Sequence, residues 1–450
     1  MGRALERLEL WITEASTSGS FLIPLLIYLN SFTSHQGELA YVLPFVLFYA
    51  FNKTGGFILE GFGTPSNAYK LSLLGLWIAI AGCIVSMLGF LDIVVLDFGA
   101  SLTGLGTAIF SPMYSTLKGA CRTGNHWQFG RVEVSGGIIA LPIVAGVTLS
   151  QGRIQEVTYL GYAVMLLVAV LAVRGIASLY GKRTEAMFSP RQLRWRKFVP
   201  AILFFAAILL VRLFKQTASA FDILCVVAVV IAISLVTAIW NRRYIESGSS
   251  LHRMFFSGAM VYAILFDVVV YVVCEEYIKL IIVSEIFLLG CLVTTAFGAK
   301  IAKRLEGRDV PNIALVCLML SNIPFLFDLT NPAGIFLIAF FSTFGLMAVG
   351  MEAKPNTSIP KAAASLHSQN TSDVGSILGQ TVLFAAIAVV SFVAFSDVSE
   401  MMAAYAFQIP KEHLDAEFHI VQIACSVVIW VLGVLFLIRA RDRRDAKTCP

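Results

Sequence analysis

The sequence predicts an all-α polytopic membrane protein, on three observations. Hydrophobic residues make up 58% of the 450 and charged residues only 14%, with a mean hydropathy of +0.82. A soluble domain carries about 25% charged residues, so most of this chain needs lipid as its solvent. The apolar residues gather into runs near the roughly 20 that a helix needs to cross a hydrocarbon core. The cations sit in alternate connections between those runs, the pattern expected when they are held on the cytoplasmic face.

In order, the runs cover 8–32, 40–61, 69–90, 93–117, 129–150, 157–176, 198–214, 221–241, 253–274, 279–299, 310–328, 333–352, 373–396 and 418–438. Glu14, Ser16, Thr17 and Ser18 interrupt the first run. The run 198–214 is short and ends beside Arg212 and Lys215, so whether it crosses fully is left open. The runs group as 6+2+6. Residues 1–176 make an N-terminal six-helix bundle, 177–252 a basic cytoplasmic linker with an extra helix pair, and 253–450 a C-terminal six-helix bundle with a basic tail.

Charge supports this count. The stretch from Arg174 to Lys197, leading into the linker, carries Arg174, Lys182, Arg183, Arg191, Arg194, Arg196 and Lys197 against one acid, Glu185, and every other basic cluster falls on the same side. The opposite connections hold acids such as Glu38, Asp92, Glu156 and Asp328. Both termini are therefore expected in the cytoplasm, with the chain in the cell (cytoplasmic or inner) membrane. Trp195 and Phe198 among the linker cations suggest a stretch lying along the headgroups. The first ten residues, MGRALERLEL, do not have the form of a removable signal peptide.

Several classes are disfavoured. The net charge of +5 lies in loops beside membrane spans, so no nucleic-acid partner is expected. Eight scattered cysteines without a CxxC read as apolar filler rather than as a disulfide frame or zinc site. The six histidines are dispersed, and HLDAEFH (His413 to His419) matches no metal motif. No metal and no cofactor are expected, and an enzyme acting on lipid would need clustered His, Asp or Ser. No G-x-x-x-x-G-K-S/T occurs, so ATP hydrolysis is not the drive.

Charges inside spans are the sharpest signal. Asp267 lies well within 253–274, a span shared with Tyr262 and Tyr271, and Lys53 lies near the middle of 40–61 beside Asn52 and close to Tyr49. A charge at mid-membrane costs about 2.5–3.5 kcal/mol or more, so both should face a cavity or a partner. Glu285 is a third candidate nearer the outer edge. Glu133 and Arg131 start one long span and Asp373 another, where cytoplasmic ion pairs could form and break.

Three segments carry a family resemblance. Gly56-Phe57-Ile58-Leu59-Glu60-Gly61-Phe62-Gly63-Thr64 resembles the G-x-L-A-D-R-x-G-R-R loop of the major facilitator superfamily. Gly56 and Gly63 match, Glu60 stands for the aspartate, and the loop's cations are missing, with Lys70 the nearest. Gly104-Leu105-Gly106-Thr107-Ala108 resembles the family's G-x-G-x-A pattern, but Ala100 occupies the place of its arginine. Gly137, Pro142 and Gly146 partly resemble the glycine-proline motif of the family's antiporters. Tight helix packing also explains these glycines.

The resemblance implies two pseudo-symmetric bundles working by alternating access. The polar entrances Gly130–Val144 and Thr371–Phe384 hint at the internal repeat such transporters use. The activity implied is proton-coupled export of a small metabolite or amphiphile by a monomer. Uptake of a nutrient or metal-chelate, and a transporter-like sensor or scaffold, are the alternatives. Glu60, Gly56, Gly63, Arg131, Glu133 and Asp373 would gate. Asp267 would bind the coupling proton or a substrate cation, and Lys53 would pair with it or hold an anionic substrate group. Asn52, Tyr49, Tyr262 and Tyr271 would line the same path.

Overall fold

The computed structural model describes residues 2–35, 41–123, 129–150, 154–180, 186–189, 193–214, 249–273, 277–305, 308–352, 360–390 and 415–448, with the isolated residues 232 and 393. Among them the regular structure is helical, apart from one β-bridge between Pro65 and Phe188. The first half supplies α1 (Gly2–Ser18), α2 (Leu22–Ser34), α3 (Val42–Gly61), α4 (Ala68–Met87), α5 (Ile93–Thr123), α6 (Phe129–Ser150), α7 (Gln155–Tyr180) and α8 (Trp195–Phe214). The second supplies α9 (Ser249–Val273), α10 (Tyr277–Arg304), α11 (Val310–Phe325), α12 (Asn331–Glu352), α13 (Lys361–Val390) and α14 (Asp415–Thr448). Among the described residues eight helices are long and apolar enough to cross a membrane, and α1 with α2 passes the same test as a bent pair. The expected span 221–241 lies outside the described residues, apart from the isolated residue 232.

Two boundaries differ from the sequence reading. The first run is broken rather than straight: α1 and α2 meet at 63°. Thr13, Ser16 and Thr17 donate their hydroxyls to the carbonyls of Glu9, Ile12 and Thr13 at 2.6, 2.9 and 2.8 Å. Such back-bonding bends helices, and Gly19 follows at the break. The thirteenth run starts earlier than hydropathy suggests, because α13 begins at Lys361. Its first turns, KAAASLHSQ, are polar but rich in good helix formers, which a hydropathy window passes over.

The chain forms two compact units. Unit 1 holds α1–α8 together with α13 up to Val374; unit 2 holds α9–α12, α13 from Gly375, and α14. In unit 1, α4 and α5 meet along a seam of four glycines. A Cβ on Gly75 would lie 2.7 Å from Phe110 N, and one on Gly99 2.6 Å from Ser86 N. Gly82 and Gly106 press on Thr103 and Ala79 in the same way. In unit 2, a Cβ on Gly258 of α9 would lie 2.8 Å from the Gly375 carbonyl oxygen of α13, and one on Gly290 of α10 would lie 2.6 Å from the Phe336 carbonyl oxygen of α12. Without a hydrophobic drive between helices in lipid, close packing of this kind holds the bundle together.

Candidate gating and ion-binding sites

Glu60 closes the last turn of α3, and the chain leaves it through Gly63, whose φ of 142° suits only glycine. The linker is not a loose basic loop here. Ser66 N–H donates to the Met187 carbonyl at 3.0 Å, Ser189 N–H to Thr64 at 2.9 Å, and Arg194 N–H to Gly61 at 2.8 Å. The Arg194 guanidinium donates to Thr64 Oγ1 at 2.8 Å. This strap brings Lys197 Nζ to 2.8 Å from Glu60 Oε2, while His367 Nδ1 of α13 lies 2.9 Å from Oε1. The cation that the 56–64 loop lacks is thus supplied from the linker. Trp195 is 71% exposed, whereas Phe198 packs on Gly61 and Phe62.

One and two turns earlier on α3, Gly56 and Lys53 face the first half of α13. A Cβ on Gly56 would collide with Asn370 Oδ1, a side chain that is fully buried. Lys53 Nζ lies 3.0 Å from Asp373 Oδ1, both residues buried, and Gln369 Nε2 donates to the same carboxylate at 3.2 Å. The ammonium also stands over the rings of Phe21 at 4.7 Å and Tyr49 at 5.9 Å. The Lys53 partner is therefore Asp373, which corrects the pairing with Asp267 considered from sequence. Asn52 turns the other way, donating to Thr107 Oγ1 at 3.0 Å.

A third cluster joins α1, α5 and α6. Lys118 Nζ lies 2.9 Å from Glu14 Oε2 and 3.1 Å from Glu133 Oε1, and Tyr114 O–H donates to Glu14 Oε1 at 3.1 Å. Two carboxylates share one ammonium. The expected gate set of Arg131, Glu133 and Asp373 is thus rearranged: Glu133 pairs with Lys118 and Asp373 with Lys53, and the Arg131 side chain lies outside the description. Sequence reasoning missed Glu14 and Lys118 as a pair. The one signal was an acid interrupting an otherwise apolar run.

In unit 2, Asp267 is 1% exposed and near the end of α9. Asn331, the first residue of α12, donates from Nδ2 to Asp267 Oδ1 at 3.3 Å and to Tyr271 Oη at 3.1 Å. Tyr262, on the same helix, donates to the Gln422 carbonyl at 3.4 Å.

The motif glycines divide. Gly104 presses on the Phe48 carbonyl and Asn52 of α3, and Gly106 on α4, so the G-x-G-x-A segment packs α5 against two neighbours at once. Gly137 is buried and Pro142 sits exposed inside α6, but Gly146 has nothing within 4 Å of its Cβ position. Its packing role is corrected: the close approach on α6 belongs to Gly136, against Trp11 and Glu14. Among the described residues no group of three or more His, Cys, Asp or Glu could hold a metal.

No family profile and no curated protein matches the sequence. Solved structures do. A POT peptide transporter in complex with sulfate shares 15% identity over 97% of this chain and 94% of its own, with a TM-score of 0.56. A POT family transporter in complex with a thioalcohol-conjugated peptide shares 13% over 97% and 95%, at 0.58. The Escherichia coli fucose:proton symporter FucP shares 11% over 94% and 96%, at 0.52. The chain is an all-α polytopic membrane protein, and its fold is the one these solved transporters share.

Proposed function

We propose that the protein is a proton-coupled secondary transporter that moves a small anionic solute by alternating access. The observation that carries this reading is the double attachment of α13. Its first half is ion-paired to α3 through Lys53–Asp373 and hydrogen-bonded to it through Glu60–His367, while its continuation packs through Gly375 and Gly379 on α9. These links, with the Ser365–Pro112 hydrogen bond and the packing of Ala362 and Leu366 on Leu59 and Ile109, are what must yield for this end of α13 to move. Lys53, flanked by two aromatic rings, can exchange Asp373 for a solute carboxylate or phosphate. The Glu14–Lys118–Glu133 cluster offers two carboxylates, either of which can take up a proton. Gly56, Gly63 and Glu60 shape the closed form. Both termini are assigned to the cytoplasm, and a monomer suffices.

The direction proposed is uptake with protons; a fucose:proton symporter shares the fold. Export is the second reading, favoured by the proline inside α6. The test is flux of labelled organic anions into proteoliposomes under an imposed pH gradient. Accumulation abolished by a protonophore and by Lys53→Met is expected. Outward pumping would reverse the direction, and binding without flux in either direction would replace the transporter with a sensor.

A further inference from the structure

Unit 2 contains a buried carboxylate with no cation beside it among the described residues. Asp267 forms no ion pair among the described residues, and its Oδ2 is buried without a hydrogen-bond partner. Asn331, 5% exposed, leaves its Oδ1 equally unpartnered, although its Nδ2 reaches both Asp267 and Tyr271. Lys279 Nζ stands over the Tyr271 ring at 6.0 Å. An ionised carboxylate inside a bundle needs a counter-charge, and an orphaned amide oxygen needs a donor or a metal ion.

We propose that Asp267 and Asn331 form a binding site for a monovalent alkali cation, with the Tyr271 hydroxyl oxygen beside it. The donor set is hard oxygen, the kind that suits s-block cations rather than soft metals. A single carboxylate balances a single positive charge, whereas a divalent ion would leave a buried charge in excess. A cation at Oδ2 supplies the counter-charge that a buried ionised carboxylate requires, and a proton there removes the need for it. The rival occupant is a proton on Oδ2.

The site is a binding site whether or not the chain transports, so it is tested on purified protein without flux. Thermal unfolding and ²²Na⁺ binding are measured at fixed pH and ionic strength, with sodium or potassium exchanged for choline. Saturable binding near one ion per chain is expected, with Tm rising by a few degrees in sodium or potassium. Both effects should disappear in Asp267→Asn and weaken at least tenfold in Asn331→Ala, which carries the test if the first variant does not fold. Absence of alkali-dependent binding in wild type would overturn the site. So would binding unchanged in both variants, and occupation by a proton alone is the outcome if only pH moves Tm.

Discussion

The two units treat buried acids in opposite ways. In unit 1 each of the acids Glu14, Glu60, Glu133 and Asp373 touches a basic side chain: Lys118, Lys197 with His367, Lys118 again, and Lys53. In unit 2, the described partner of Asp267 is the amide of Asn331. Ion pairs can be exchanged for other ion pairs at little net change, so unit 1 is equipped to switch partners. A carboxylate held by dipoles alone is equipped to take up an ion. The two arrangements suit different tasks in one molecule.

The contrast breaks first at Lys118. Lys118→Met leaves Glu14 and Glu133 facing each other in a buried cluster, and removing one partner of a buried pair costs about 3–5 kcal/mol. A large drop in unfolding temperature in detergent is expected, with most of it recovered in Lys118→Met combined with Glu14→Gln. If the single variant unfolds like wild type, the cluster is solvated and unit 1 is not the charge-balanced half.

Lys53→Met comes next. It takes the cation from the buried Asp373 carboxylate and leaves it the Gln369 amide, at about 3 kcal/mol. Adding Asp373→Asn should restore stability but not flux, because the cation that would meet the solute is gone. A double variant that transports normally would reduce the pair to a structural fastening.

Lys197→Met should matter less, since His367 still touches Glu60. A loss of about 1–2 kcal/mol is expected, the range for a weakened hydrogen bond to a charged group. The loss should grow when His367→Ala is added, as chemical unfolding of the two variants and their combination would show.

Much of the fold was legible in the sequence because lipid imposes a length on apolar runs. The span 129–150 and the helix α6 coincide, and most others agree to within a few residues. The first turns of α13 were not legible, since hydropathy registers no helix made of alanine and polar residues. The bend at Gly19 needed the hydroxyl back-bonds to be seen together. At the sites, Lys53 and Asp267 stood out because a charge inside an apolar run is expensive wherever it points. Their partners were invisible for the opposite reason. Asp373, His367 and Lys118 lie near span ends, where a charge is cheap and carries no signal until folding brings it against another. Lys197 looked like one cation among seven, and only the backbone strap from Gly61 to Arg194 singles it out.

Asp267→Asn is the mildest change and the one that tests the comparison most directly. The replacement keeps the shape of the side chain, and its amide oxygen can still accept from Asn331 Nδ2. What disappears is a buried charge with no cation beside it, so in alkali-free buffer nothing that stabilises the folded state is lost. Stability should be unchanged or raised by about 1 kcal/mol, the scale of a relieved unsatisfied polar group. Neutralising Asp373 alone, by contrast, should destabilise by stranding Lys53. Equal losses from Asp267→Asn and Asp373→Asn, measured by unfolding under the same conditions, would mean that Asp267 is also compensated by a charge and that the two units do not differ in kind.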